Sequence, residues 1–362
     1  MRGEIRQELI NRVVVRGANW VGDAAMTVPA LRELRRVLPG AHVTLATRPW
    51  AEALFAGAEF VDEVVAVSES KSSARAVWED AREWRARRFD LAVLFPNSFA
   101  PALSARLARV PFRVGYATQG RGALLTHPLP VPEWRNKRHE VFYYLNVVAG
   151  LERLFRGSSE IETREPDSSL AVNKDVRREA IALLRASGLT DARPLVALCP
   201  GSTNSRAKRW PVERFAALAD MLAERAGAQV FLIGAREELD ISEEVSHSAR
   251  TRPNVLTGRT NLAQTAALLS AADLLVTNDT GPAHVAAAVG CPVVVIFGPT
   301  NPETTRPFST LAEVVRKPPE CAPCMLRDCP IDHRCMTAIT AEDVFERAAH
   351  ALEARRAAEA VL

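Results

Sequence analysis

The stretch from Leu274 to Gly298 reads LLVTNDTGPAHVAAAVGCPVVVIFG, and it decides the fold of this 362-residue chain. Residues 274–277 form a short, mostly apolar run, a helical segment follows from Gly281 to Val289, and a second run, of β-branched residues ending in Phe297, covers 293–297. Two short apolar strands joined by a helix indicate a parallel βαβ unit. The stretch therefore predicts a parallel sheet covered by helices.

The same alternation extends along the rest of the chain. In the N-terminal half we predict strands at 13–15, 42–46, 63–67 and 91–95, with helices at 24–37, near Ala51 and at 78–88. In the C-terminal half we predict strands at 195–198, 229–233 and 254–256, with helices at 174–187, 212–226, after Ala235 and at 261–271. Strand and helix taking turns indicates an α/β protein with doubly wound parallel sheets.

Domain organisation follows from a polar, acidic, Ser-rich stretch at 157–169, which we interpret as a linker. We expect an N-terminal Rossmann-like domain over residues 1–170 and a second one over 171–340. The helical segment 341–362 can pack on either half, including a return to the N-terminal domain. Two such domains are expected to face each other across a cleft, where the carboxyl ends of their strands meet.

The composition of the chain limits the kinds of molecule that the protein is expected to bind. A formal net charge of +3 is too mild for a nucleic-acid-binding protein but suits an enzyme with anionic small-molecule substrates. Residues 1–11 lack the apolar run of a signal peptide, and no apolar stretch approaches the roughly 18 residues of a membrane span. We therefore expect a cytoplasmic protein.

The first candidate site is GANWVGD, residues 17–23, which follows the first strand and opens the first long helix. This is where α/β proteins place residues that face a ligand. Asp23 is either the N-cap of the helix, a common role for aspartate, or a residue of the site.

The second candidate is CPGSTNSRAKRWP, residues 199–211, again directly after a strand. Ser202 and Thr203 offer backbone and hydroxyl donors, and Lys208 supplies charge, so the run suits phosphate oxygens. Its glycine and lysine spacing is not that of a Walker loop. Lysine occurs only at 71, 137, 174, 208 and 317, so a lysine at 208 indicates that a compact point charge is wanted there. The alternative is a solvated basic turn.

The third candidate is TNDTGPAH, residues 277–284. The amides that begin this helix, with Thr280 and Gly281 allowing close approach, would bind a diphosphate. Asp279 would cap the helix or accept hydrogen bonds from sugar hydroxyls. His284 is either a phosphate donor or an ordinary helix residue.

Three further features surround these candidates. The turn FGPTNP, residues 297–302, is expected to face the same site. A carboxylate after the strand at 229–233 would hold ribose hydroxyls, and either Glu237 or Glu238 can supply it. Cysteines at 321, 324, 329 and 335 surround His333; only the first pair has zinc-like spacing, so we expect reduced structural thiols without metal.

These runs together resemble the ADP-heptose lipopolysaccharide heptosyltransferases, a bacterial glycosyltransferase family (family 9) with the GT-B fold. Four motifs in the same order carry the resemblance over nearly the whole chain: residues 19–24, 200–211, 277–284 and 297–300. Residues 94–99, LFPNSF, look like the segment typical of the type II enzymes of this family.

The resemblance implies an inverting transfer from ADP-L-glycero-D-manno-heptose to the first heptose of the lipid-linked inner core, with no cofactor and no metal. A lipid-linked acceptor implies work at the inner face of the inner membrane, with transient contact. Arg135, Lys137 and Arg138 either aid that contact or simply form a solvated basic turn. The residue roles that it implies are a catalytic base at Asp23, a diphosphate contact at Lys208, a ribose ligand at Glu237, and sugar and phosphate contacts at Asp279, Thr280, Gly281 and His284.

Three alternatives stay open. A heptosyltransferase of type I, or another nucleotide-sugar transferase of the family, would use a different acceptor or donor. A nucleotide-sugar epimerase of GT-B fold would convert its donor without an acceptor. A two-lobed sugar receptor would bind sugar without nucleotide.

Overall fold

The computed structural model describes residues 5–190 and 194–360, which contacts divide into a first unit, residues 1–168, and a second unit, residues 169–362. The boundary drawn from the sequence lies beside this division, at residue 170. The first unit contains these strands and helices: β1 Arg12–Arg16, α1 Val21–Met26, α2 Val28–Val37, β2 His42–Thr47, α3 Pro49–Phe55, β3 Glu63–Ala66, α4 Ser73–Arg87, β4 Leu91–Leu94, α5 Phe99–Leu107, β5 Phe112–Tyr116, β6 His127–Leu129 and α6 Glu140–Arg156.

The second unit repeats the alternation. Its elements are α7 Lys174–Ala186, β7 Leu195–Cys199, α8 Val212–Arg225, β8 Gln229–Leu232, α9 Leu239–Ser248, β9 Asn254–Val255, α10 Leu262–Ala271, β10 Leu274–Asn278, α11 Gly281–Ala288, β11 Val293–Ile296, α12 Pro302–Thr305, β12 Ala312–Val315, α13 Arg334–Thr337 and α14 Ala341–Ala360. The predicted α/β class is confirmed.

Each unit holds one six-stranded parallel sheet with the same strand order. The orders are β3-β2-β1-β4-β5-β6 and β12-β11-β10-β7-β8-β9, the second being the first read from its other edge. In each sheet the order reverses between two adjacent strands, β1 and β4 in the first unit and β7 and β10 in the second. Ligands of open α/β sheets bind at the carboxyl ends of the strands beside such a reversal.

The central strands contain continuous apolar runs because helices cover both faces of each sheet. Residues 13–15 of β1, 274–276 of β10 and 293–296 of β11 are fully buried. Strands of this kind give continuous apolar runs, which is why the sequence predicts them well. Sequence reasoning did not assign α5, β5, β6, α6 or β12.

The predicted helix 24–37 is wrong as a single element. It begins earlier, at Val21, and is split at Thr27 into α1 and α2. Pro29 lies in the first turn of α2, and without an N–H it cannot continue the hydrogen-bond ladder of α1.

The C-terminal helix belongs to the second unit. Val344, Phe345 and Ala348 of α14 lie in the same core as Phe215 and Leu218 of α8. These contacts put α14 in the core of the second unit, and its packing on the N-terminal domain stays a prediction. No helix among residues 5–190 and 194–360 is long and apolar enough to cross a membrane.

Candidate active site

The first site lies in the first unit, where β1 and β4 end beside the reversal of strand order. The loop after β1 leads into α1, and Asp23 is the third residue of that helix. Trp20 holds the N-cap position, so the N-cap role expected for Asp23 is wrong. The Tyr144 hydroxyl, carried by α6, donates a hydrogen bond of 3.1 Å to Asp23 Oδ1.

Asp23 lines a pocket of about 150 Å³. Polar and aromatic side chains from four segments contribute to its wall: Asn19, Trp20, Asn97, Ser98, Arg135, Glu140, Tyr143 and Tyr144. Residues 95–98 of the LFPNSF segment contribute to the same wall. Mixed hydrogen-bonding groups and ring faces around one carboxylate suit a hydroxylated ligand such as a sugar.

Two buried arginines hold the loops of this pocket. Arg16 donates to the carbonyl of Gly17 and, at 2.7 Å, to Asn19 Oδ1. Burial lowers the pKa of Arg16 to about 10. Arg121, which is fully buried, donates to the carbonyls of Pro96 and, at 3.1 Å, Ser98. A buried guanidinium needs such partners, so each arginine fixes the course of the loop whose carbonyls it contacts.

Tyr144 is itself buried, and its ring meets that of Phe95 edge to face at a centroid distance of 5.5 Å. Burial raises the pKa of the Tyr144 phenol well above its ordinary value, and the carboxylates of Asp23 and Glu140 raise it further. The hydroxyl therefore stays protonated and remains a donor toward Asp23. Sequence reasoning missed Tyr144, because α6 was not assigned and lies 121 positions along the chain from Asp23.

Arg135 belongs to this pocket rather than to a free basic turn. Its guanidinium forms an ion pair with Glu140 and lies 3.8 Å from the centroid of the Tyr143 ring. Arg138 lies 3.7 Å from the Phe142 ring centroid. Both arginines therefore have partners within the first unit, whereas Lys137 is exposed.

The second site lies in the second unit, at the ends of β7 and β10. Lys208 Nζ donates to Asp279 Oδ2 at 2.8 Å and to the Asp279 carbonyl at 3.1 Å. Thr300 Oγ1 donates to the same carboxylate oxygen at 2.7 Å. The Lys208 side chain is 26% exposed and that of Asp279 only 5%. The structure therefore joins two predicted residues into one ion pair, with the ammonium on the more open side.

Asn278 ties the predicted phosphate loop to β10. Its Nδ2 donates to the carbonyls of Pro200 at 2.8 Å and Gly201 at 3.2 Å, and its Oδ1 accepts from Trp210 N at 3.0 Å. Both ends of the loop that carries Lys208 are thus fixed to one buried amide. The sequence places Asn278 in the motif but gives no sign of this role.

The two glutamates after β8 differ in burial. Glu238 is buried; it accepts from Thr203 Oγ1 at 3.2 Å and from Ala235 N at 3.0 Å. Glu237 is exposed. A Cβ on Gly201 would overlap the Glu238 carboxylate, so any larger residue at 201 would force that side chain to move.

The remaining predicted residues lie around the start of α11. Thr280 is the N-cap residue, and its hydroxyl bonds Thr277 Oγ1 at 3.2 Å instead of capping the helix. Gly281 is the first residue of α11, and His284 is buried one turn further on.

Ser202 belongs to the loop that follows β7. It is buried and its carbonyl accepts from Arg209, so its backbone shapes the loop.

The cysteine cluster lies beside this site. All its thiols are free, and they line a small cavity with Ala207 and Pro299. Burial, and to a smaller extent the neighbouring cysteines, raise the pKa of Cys335 to about 11. In the described part of the chain no three His, Cys, Asp or Glu side chains are arranged to hold a metal ion. That the cluster is reduced and structural stays a prediction.

Comparison with known proteins agrees with this arrangement. The model of glycosyltransferase family 9 (heptosyltransferase) matches residues 77–334. Lipopolysaccharide heptosyltransferase 2 of Salmonella typhimurium is 30% identical over 317 residues, which cover 84% of this chain and 88% of that protein.

Two solved structures extend the similarity to the whole fold. The structure of Escherichia coli ADP-heptose lipopolysaccharide heptosyltransferase II has a TM-score of 0.79 at 26% identity and covers 95% of this chain and 99% of its own. A family 9 glycosyltransferase of Veillonella parvula has a TM-score of 0.81 at 27% identity and covers 94% and 97%. These matches agree with the predicted GT-B fold. The chain belongs to glycosyltransferase family 9, the heptosyltransferase family, and is a glycosyltransferase.

Proposed function

We propose that this chain is a heptosyltransferase of type II, which moves L-glycero-D-manno-heptose from ADP-heptose to the first heptose of the lipopolysaccharide inner core with inversion. The proposal follows the named activity of the type II relatives. The structural observation that carries it is the pairing of Asp23 with Tyr144 in a polar pocket at the ends of β1 and β4. A carboxylate so placed is suited to take a proton from an acceptor hydroxyl.

Asp23 would act as the general base. A sugar hydroxyl is a poor nucleophile near neutral pH and needs a proton acceptor as the new glycosidic bond forms. The hydrogen bond from Tyr144 orients the Asp23 carboxylate within the pocket. The acceptor oxygen attacks the anomeric carbon of the donor, its proton passes to Asp23, and the bond to ADP breaks.

The second unit would bind the donor. Lys208 would contact the departing diphosphate, and the first amides of α11 at Thr280 and Gly281 would add dipolar stabilisation. Asp279 and His284 would contact the sugar and its phosphate. We keep Glu237 as the predicted ribose ligand, with the buried Glu238 as the alternative that its position favours. Since these groups supply the stabilisation, we expect transfer to proceed without a metal ion.

The lipid-linked acceptor defines where the enzyme would work. We infer a cytoplasmic enzyme peripheral to the inner face of the inner membrane. Trp20, on the wall of the Asp23 pocket, is 55% exposed, and Phe99, next to that wall, is 44% exposed. Exposed aromatic side chains suit a membrane–water interface. Co-sedimentation with anionic vesicles should fall in a Trp20→Ala, Phe99→Ala variant, whereas equal sedimentation of variant and wild type would contradict membrane contact through these residues.

One experiment tests the activity and separates its alternatives. The enzyme is incubated with ADP-heptose, excess EDTA and truncated cores of defined length, and the products are identified by mass. A heptose added to the core that ends in one heptose supports type II, and addition to the core without heptose indicates type I. Conversion of ADP-heptose without acceptor indicates an epimerase, and loss of transfer in EDTA contradicts a metal-free reaction.

A further inference from the structure

The segment 321–335 carries the four clustered cysteines and is called here the cysteine segment. It contacts the loop of residues 199–211, which carries Lys208 and is called here the donor loop. The Ser205 hydroxyl donates to the Arg327 carbonyl at 3.2 Å, and Arg206 Nε lies 2.6 Å from Asp328 Oδ1. On its other side, Met325 N donates to the Pro299 carbonyl at 2.9 Å. The cysteine segment therefore bridges the loop of Lys208 and the turn that carries Thr300.

Ala207, the residue before Lys208, is held at both of its backbone polar groups. Its N–H donates to the Arg327 carbonyl at 2.9 Å. Its carbonyl lies 2.6 Å from His333 Nε2. A carbonyl oxygen only accepts hydrogen bonds, so His333 Nε2 carries the proton and donates. The peptide group between Ala207 and Lys208 is thereby fixed by the imidazole.

The backbone at His333 supports this contact. Its φ is 57°, in the left-handed region that histidine, asparagine and aspartate adopt more readily than most other residues. His333 precedes α13 directly, and Cys335 and Met336 of that helix are buried. The ring thus projects from an anchored backbone toward the donor loop.

We propose that His333 is a positioning residue for Lys208. By fixing the Ala207 carbonyl it sets where the Lys208 side chain begins, and the Asp279 carboxylate sets where its ammonium ends. The four cysteines line the same small cavity as Ala207. This inference rests on the proposed function, since it takes the ADP diphosphate as the group that Lys208 meets.

A double-mutant cycle tests the inference with ADP as the probe. His333→Asn tolerates the left-handed backbone but is too short to reach Ala207, and His333→Gln restores a donor of sufficient length. Calorimetric titration should show ADP affinity falling roughly 2- to 13-fold in the Asn variant, the range of one net hydrogen bond, and recovering in the Gln variant. In a Lys208→Ala background, His333→Asn should change ADP affinity less than about twofold, because coupled residues are not additive.

Asp332→Asn is the matched control, because Asp332 neighbours His333 but pairs with Arg334 on the surface. It should bind ADP as the wild type does. Equal losses from His333→Asn with and without Lys208, or no loss at all, would overturn the positioning role. If the Asn variant does not fold, His333→Gly gives the same comparison. Failure of the wild type to bind ADP would instead overturn the proposed function, and this inference with it.

Discussion

Replacing Asp23 by Asn tests whether Asp23 is the catalytic base or only a structural residue of α1. The change keeps the size of the side chain and one oxygen able to accept the 3.1 Å hydrogen bond from Tyr144. It removes the capacity to take a proton. If Asp23 is the base, the rate of heptose transfer should fall by about 10²–10⁴.

The stability of the variant should change little. A carboxylate in the first turn of a helix contributes roughly 0.3–1 kcal/mol through the helix dipole. Replacing a charged acceptor by a neutral one weakens the Tyr144 hydrogen bond by about 1 kcal/mol. We therefore expect the free energy of unfolding to drop by no more than about 2 kcal/mol. The variant should thus stay folded while its transfer rate falls.

The assay measures transfer at saturating donor and acceptor, ADP binding by calorimetry, and unfolding in urea. Tyr144→Phe is the matched control: it keeps the ring packed against Phe95 but removes the hydroxyl that orients Asp23. Its transfer rate should fall roughly 2- to 13-fold, the range of one hydrogen bond. A turnover within about threefold of wild type in Asp23→Asn would remove Asp23 from the mechanism. A fall in ADP affinity matching the fall in rate would also refute it, because the base should not hold the nucleotide.

Two sets of substitutions and one labelling experiment test the second site. Lys208→Ala should lower ADP affinity about 10- to 100-fold and destabilise the fold by leaving the Asp279 carboxylate buried without its cation. Adding Asp279→Asn should restore stability in urea but not ADP affinity. A double variant that binds ADP normally would exclude Lys208 as a diphosphate contact. Gly201→Ala should displace the Glu238 carboxylate and cost about 1–3 kcal/mol of stability together with ADP affinity, and unchanged unfolding and titration curves would contradict that close contact. Burial raises the pKa of Cys199 to about 12, so at pH 8 its thiolate is roughly a thousandfold scarcer than at its ordinary pKa of 9.0. Iodoacetamide should therefore label Cys199 only after unfolding, and rapid labelling of the native protein would show the site to be open.

The sheets could be predicted because their physics is local. Residues 13–15 and 293–296 are apolar at every position, since both faces of each strand are covered. The predicted site segments could be placed because each begins where a strand ends, and parallel strands all present their carboxyl ends at one edge. Strand ends therefore locate both candidate sites without any knowledge of side-chain contacts.

Helix α6 shows where such reasoning fails. Its residues 141–152 are buried on nearly every side, and Val141, Tyr143 and Val147 favour strands over helices. A helix that is buried all round loses the 3.6-residue period that identifies an amphipathic helix. Its contact with Asp23 depends on tertiary packing alone, so Tyr144 carried no local signal.

The Lys208–Asp279 pair gives a physical reason for lysine at this position. From the sequence the two residues had separate ligands, the diphosphate for Lys208 and the sugar for Asp279. An ammonium has three donors, and in the described part of the chain two of them point at the carboxylate and carbonyl of Asp279. The third can then meet a phosphate oxygen without breaking the pair. A guanidinium at this position would place its planar fork against the carboxylate and turn its remaining donors elsewhere. The third N–H of the Lys208 ammonium therefore points outward, while the Asp279 carboxylate compensates the charge of the ammonium in the unliganded protein. This explains why a lysine is retained in a chain whose other cations are mostly arginine.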